Sequence, residues 1–177
     1  MNNRNKSNKS NKSNNNSYWI IGKHAVESAL KNPRRVKYKL CITKENLASL
    51  EIDNLELKPD IMSRSEISII AENANTHQGI ALLVKPLETN NLNNYLENSK
   101  EVKKTFIILD QITDAQNIGA IIRSASAFSA SGIIILDKNS PNENATMAKA
   151  AVGTLEFMPL FKVTNLVQTL NKLKKYN

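Results

Sequence analysis

The sequence predicts an α/β protein built from two small units in series, and three observations carry that reading. Two short apolar runs, Phe-Ile-Ile-Leu at 106–109 and Ile-Ile-Ile-Leu at 133–136, have the length and composition of fully buried strands. Between them Ile118, Ile121, Ile122, Ala125 and Phe128 recur at offsets of three and four, the spacing of a helix with one buried face. Strand and helix signals alternate along most of the rest of the chain. That pattern implies layers of helices on a sheet, with right-handed crossovers wherever the strands are parallel.

Residues 1–17 stand outside this pattern. Asn-Lys-Ser occurs three times in succession from Asn5 to Ser13, and no apolar residue follows Met1. Such a segment buries too little surface to offset its ordering entropy, so a disordered tail is expected. It has neither the apolar centre of a signal peptide nor the arginine pattern of a transit peptide. The net charge is +8, of which Arg4, Lys6, Lys9 and Lys12 place four in the tail and Lys172, Lys174 and Lys175 three at the other end. A basic arm suits a polyanion such as RNA through counterion release; drift towards Asn, Lys and Ile without function is an equal reading. The single cysteine, Cys41, excludes an internal disulfide, and with two histidines no metal site is expected. No run is long enough to cross a membrane, so a soluble, cytoplasmic protein is expected.

The first unit covers 18–86. A helix over 22–31, with Ala25, Val26, Ala29 and Leu30 inward, stops at Asn32-Pro33. A strand is expected over 38–43, a helix over 44–50, a short strand over 60–63 and a helix over 66–73. Thr76-His77-Gln78-Gly79 then turns the chain into an apolar strand, 80–84. Lys23, Lys31, Arg34, Arg35 and Lys37 form a loose basic cluster around Pro33. Phosphate contact and a solvated surface are both open there. His77 has two readings as well, an RNA contact or a side chain that fixes the turn, with the turn favoured. Residues 87–104, rich in Asn, Lys and Glu, read as a linker with one helical turn near Tyr95 that lets the units move.

The second unit covers 105–177. After the strand 106–109, Asp114 is placed to cap the helix that carries the apolar stripe. Arg123 falls roughly opposite that stripe, among Gly119, Ala120, Ser126, Ala127 and Ala130. Small neighbours suggest close approach by another subunit or a polyanion; a solvated arginine is the plainer reading and the one that spacing favours. Gly132 leads into the second strand, a polar loop follows over 137–144, and a helix over 145–152 can end at Gly153. Glu156 stands before a strand at 157–163, and Thr164 can cap a last helix with Leu166, Leu170 and Leu173 on one side. The order is βαβαβα, a parallel sheet, and in such sheets ligands bind beyond the carboxyl ends of the strands.

The stretch 109–125 resembles the first conserved motif of the SpoU/TrmH family of RNA ribose 2′-O-methyltransferases, close to L-D-x-(I/V)-x-D-P-x-N-x-G-A-x-x-R-(S/T)-A. Leu109, Asp110, Asp114, Asn117, Gly119, Ala120, Arg123, Ser124 and Ala125 match; Ala115 stands in place of the usual proline. Ile21-Gly22-Lys23-His24-Ala25-Val26 and His77-Gln78-Gly79-Ile80 resemble landmarks of the family's amino-terminal RNA-binding domain. Asn144-Ala145-Thr146, Gly153, Glu156 and Val163-Thr164-Asn165-Leu166 resemble the family in order and spacing.

The resemblance implies an RNA-binding domain followed by the first half of a SPOUT-type trefoil-knot methyltransferase domain, with the knot expected to be absent. It also implies methyl transfer from S-adenosylmethionine to a ribose 2′-hydroxyl, of a guanosine in ribosomal RNA. Arg123 would be the key catalytic residue, gripping a phosphate and stabilising the developing alkoxide. Asn117 would orient Arg123 or the ribose. Glu156 would hold the loop or Arg123, the alternative being a plain strand-entry acid. Lys23, Arg34, Arg35, His77 and Gln78 are the expected RNA contacts. The family's glycine-rich G-x-E-G-x-G loop and its S-L-N motif are not found, and no glycine follows Gly153. Cofactor binding is therefore not expected of this chain alone. A homodimer or a complementing chain would complete the site; a non-catalytic RNA-binding remnant or a degenerate fragment are the alternatives.

Overall fold

The structure, a computed structural model, describes residues 17–50, 57–71, 77–99 and 103–176. The disordered tail expected over 1–17 lies outside these residues except for Ser17, as does the end of the helix expected over 66–73.

The first unit holds β1 (Tyr18–Ile21), α1 (Lys23–Lys31), β2 (Lys37–Ile42), α2 (Lys44–Ala48), β3 (Asp60–Ile61), α3 (Arg64–Ile70) and β4 (Ile80–Val84). Its sheet runs β1-β4-β2-β3, with β4 antiparallel to both β1 and β2, and β3 parallel to β2. β1 was not anticipated, although Tyr-Trp-Ile-Ile is rich in the aromatic and branched side chains that suit a half-buried pleat. The helix starts are set by side chains. The Thr43 hydroxyl accepts from the Asn46 amide, and Ser63 and Glu66 form a reciprocal capping box. That box starts α3 two residues before the position expected from periodicity. Accepting hydrogen bonds from Ser63 also holds the Glu66 carboxyl below its usual range.

The second unit holds α4 (Leu92–Asn98), β5 (Phe106–Leu109), α5 (Ala115–Ala127), β6 (Gly132–Leu136), α6 (Ala145–Ala151), a 3₁₀ turn (Thr154–Glu156), β7 (Leu160–Val163) and α7 (Leu166–Leu173). Its three strands are parallel in the order β5-β6-β7, with Ile107 beside Ile133 and Ile134 beside Phe161. Several boundaries differ from expectation. The 3₁₀ turn delays β7 to Leu160 and leaves Phe157 exposed. Asn165 rather than Thr164 caps α7, accepting from the Gln168 amide. Phe128 follows the last turn of α5 and is 86% exposed, so it is not part of the buried stripe. Leu170, expected inward, is exposed too.

The stretch expected to be a linker with one helical turn near Tyr95 carries α4 there and contributes to packing. Leu92 and Leu96 of α4 are buried, and the Tyr95 ring lies 5.1 Å from Phe161 and 6.1 Å from Phe106. The Tyr95 hydroxyl donates to the Ser131 carbonyl at 3.0 Å. Between the two units one apolar core runs without a break. Ile20, Val26, Leu40 and Leu82 of the first unit share it with Leu109, Ile118, Ile122 and Met147 of the second.

Glycine permits two close approaches in this core. A Cβ on Gly119 would lie 2.4 Å from the Met147 carbonyl oxygen and 2.7 Å from the Ala150 Cβ, so α5 meets α6 almost backbone to backbone. Gly153, at φ 87°, lets the turn after α6 reach Ser28 and His24 of α1. At Gly119, therefore, the close approach signalled by small residues is made by the chain's own α6.

Candidate functional site

The segment after β5 builds the first candidate. The Asp114 carboxylate accepts from the Gln116 amide at 2.9 Å and starts α5. Ile118, Ile122 and Ala125 face the core and Gly119 faces α6, which fixes the rotation of the helix. Asn117, Arg123 and Ser124 are thereby left exposed on the remaining side. The helix carries Asn117 and Arg123 about 9 Å apart along its axis. Arg123 is exposed and forms no ion pair among the described residues, so its guanidinium could take a phosphate in a forked, two-point contact. No ring of His, Cys, Asp and Glu suited to a metal is present among the described residues.

Glu156 lies elsewhere in the bonding network. At 3% exposure its carboxylate receives Nη2 of Arg35 at 2.5 Å, Nε of Arg35 at 3.1 Å and Nδ2 of Asn32 at 2.8 Å. Its hydrogen-bond partners, Asn32 and Arg35, are thus in the first unit, and Arg123 is not among them. Arg35 is equally buried, and its Nη1 donates to the Glu143 carboxylate at 2.5 Å and to the Lys85 carbonyl at 2.9 Å. Glu143 also accepts from the Tyr18 hydroxyl and from the Leu87 amide. Burial works against the Arg35 charge, but the hydrogen bond to Glu156 and the charge of Glu143 outweigh it and raise the guanidinium pKa. Burial first, and then Glu143, pushes the Tyr18 phenol above its ordinary value. Arg35 was expected at a phosphate; the structure turns it inward because two carboxylates occupy its donors. Glu143, Asn32 and Tyr18 were missed, and nothing in their local sequence marks them.

The remaining expected contacts fall in two places. Lys23 and Gln78 meet at one end of the first sheet, where the Lys23 amide donates to Gln78 Oε1 at 2.9 Å. Gln78, at φ 55°, also accepts at its carbonyl from Asn46 Nδ2. His77 is buried; its Nδ1 accepts from the Gly79 amide at 2.9 Å and its Nε2 lies 2.9 Å from the Ser68 hydroxyl, so the ring builds the turn. Arg34 is exposed at the far end of α1, about 13 Å away along the helix. It borders a cleft of about 360 Å³ between the units and donates to Asn90 Oδ1 at 3.3 Å.

A mixed α/β unit packed on a three-stranded parallel sheet is an arrangement also found within solved methyltransferase structures. Solved structures agree in fold. An AdoMet-bound rRNA methyltransferase from Sinorhizobium meliloti superposes with a TM-score of 0.68 at 20% identity, over 90% of this chain and 59% of that one. The SpoU methyltransferase AviRb from Streptomyces viridochromogenes, in complex with AdoMet, gives 0.65 at 16% identity, over 90% and 60%. Within that class, residues 19–90 match the family described as RNA 2′-O ribose methyltransferase substrate binding, and residues 104–177 match the SpoU rRNA methylase family. A protein of Staphylococcus aureus (strain MSSA476) named as a TrmH family tRNA/rRNA methyltransferase is 32% identical over 164 residues, 88% of this chain and 64% of the relative. A counterpart in Staphylococcus haemolyticus is 31% identical over 166 residues, 89% of this chain and 65% of the relative. The chain belongs to the SpoU/TrmH family of RNA methyltransferases. It spans just under two thirds of the length of these relatives.

Proposed function

We propose that this chain serves S-adenosylmethionine-dependent methylation of ribose 2′-hydroxyls in RNA, ribosomal RNA being the substrate class. The observation that carries the proposal is α5. Its buried faces are fixed by Ile118, Ile122 and Gly119, while Asn117 and Arg123 are left open to a ligand. The first unit holds the RNA through Lys23, Gln78 and Arg34, with His77 shaping the turn that presents Gln78.

Arginine stays protonated in proteins, so Arg123 is not a base. Its part is to grip the phosphate beside the target ribose and to stabilise negative charge as the hydroxyl loses its proton. Asn117 orients the ribose. S-adenosylmethionine, when bound, supplies an activated methyl group. The loops that follow β5, β6 and β7 (110–114, 137–144 and 164–165) contain no glycine, so close backbone approach to a cofactor has no ready seat in them. We therefore assign cofactor capture to residues other than these three loops, with a complementing chain or a second copy helping to complete the site.

Deletion of the gene for this chain, followed by mapping of ribose methylation on ribosomal RNA, tests the reading. At least one 2′-O-methyl mark should disappear and return with the wild-type chain, but not with Arg123→Ala. An unchanged set of marks after deletion would overturn the proposal. Restoration by Arg123→Ala would leave RNA binding without a catalytic arginine.

A further inference from the structure

The buried ion cluster has a location that packing alone does not account for. Glu143 comes from the loop between β6 and α6, and Glu156 from the 3₁₀ turn before β7. Their donors come from three places: Tyr18 on β1 and the α1–β2 connection, through Asn32 and Arg35, in the first unit, and the Leu87 amide in the chain that leaves it. Two carboxylates beside the second sheet thus gather donors from β1, from the α1–β2 connection and from the chain after β4. One guanidinium faces two acids, and the excess negative charge is matched by neutral donors, namely the Tyr18 hydroxyl, the Leu87 amide and the Asn32 amide group. A buried charged network loses free energy whenever one of its partners is displaced, so it restricts how the two sheets can sit against one another beyond what the shared apolar core does.

We infer that Arg35, Glu143 and Glu156 are positioning residues that lock the RNA-side unit and the Arg123-bearing sheet into a single rigid body. On the function proposed above, an RNA held at Lys23 and Gln78 then reaches Arg123 at a fixed distance, and target selection becomes a matter of spacing. Residues 87–98 do not work as a hinge in this arrangement, because Leu87 is bonded to Glu143 and α4 is packed on the sheet through Leu92, Leu96 and Tyr95.

Two measurements on the full chain test this, and neither needs RNA or cofactor, so their outcome is separate from that of the methylation reading. Spin labels at Ser65→Cys on α3 and Lys149→Cys on α6 report the distance between the units; the native Cys41 is buried. Wild type should give one narrow distance distribution, and Glu143→Gln, which removes one charge while keeping the side-chain shape, should broaden it at least twofold. Thermal unfolding followed at Trp19 in β1 should coincide with loss of amide protection in β6. In Arg35→Met the Trp19 transition should come first. Should Arg35→Met fail to fold, Glu143→Gln carries both measurements. A broad distribution in wild type, or narrow distributions and coincident unfolding in the variants, would overturn the inference.

Discussion

Arg35 and Arg123 carry the same charge and were both expected to meet RNA, yet they live in opposite surroundings. Arg35 has a fully buried side chain with every nitrogen of its guanidinium bonded to the protein. Arg123 stands exposed on α5 with no ion pair among the described residues. In the sequence Arg35 looks the better phosphate ligand, with Arg34 and Lys37 beside it, while Arg123 sits among alanines and serines. The difference is made by residues 108 and 121 positions further along, Glu143 and Glu156. A cation's neighbours in the chain say little about its duty; its partners across the fold decide.

The largest effects should follow from testing that contrast directly. Removing one member of a buried, paired network leaves uncompensated charge, so Arg35→Met should cost about 3–5 kcal/mol of stability. Arg123→Ala, an exposed change away from caps and core, should stay within about 0.5 kcal/mol. Urea unfolding of both variants decides the matter. Equal and small losses would mean that the Arg35 cluster contributes nothing to the fold. A smaller effect is expected on the other side of α5. In Gly119→Ala the new methyl would press on the Met147 carbonyl, a backbone atom that cannot swing away, and overpacking of this kind costs about 1–3 kcal/mol. Ala120→Gly, at a half-buried position away from α6, should cost the helix propensity difference of about 1 kcal/mol. A Gly119→Ala loss no larger than that would deny the close α5–α6 approach.

The same physical distinction explains what could be read from the chain. β5, β6 and α5 were legible because their signals are local: two runs of branched apolar residues, an offset of three and four, and a capping Asp114. Asn117 and Arg123 were found as a pattern within seventeen residues, a span that a motif can hold. β1 was overlooked because four residues beside an Asn-rich tail give little periodicity, and its role depends on pairing with β4 more than sixty positions away. Phe128 was placed inward by extending the stripe one step too far; the helix ends at Ala127, and the rule for its face ends there too. Glu156 was picked out by its resemblance to the family in order and spacing, but its bonds to Arg35 and Asn32 cross between units and have no signature in sequence. α4 was read only as a helical turn near Tyr95 within a linker, because its polar residues outnumber its apolar ones; Leu92, Tyr95 and Leu96 are the three that matter, at offsets of three and four.

His77 is the finest test of the contrast, since it too was weighed as an RNA contact and is turned inward. Burial, with a smaller contribution from the Arg64 charge, holds its imidazole below the ordinary value of 6.5. The geometry gives the same direction, because Nδ1 must be unprotonated to accept from the Gly79 amide. With the folded value depressed, the unfolded chain binds the proton more readily in the interval below 6.5. The His77 contribution is therefore present in full above that pH and is lost as pH falls through the lowered folded value. Urea midpoints should drop between pH 7.5 and pH 5, and His77→Gln should flatten the upper part of that drop. The variant should also lose roughly 1–2 kcal/mol at pH 7.5, since a flexible amide does not replace both hydrogen bonds of the turn. Were His77 instead a surface ligand for RNA, the two proteins would show parallel pH profiles, and the substitution would weaken RNA binding while leaving the midpoint unchanged.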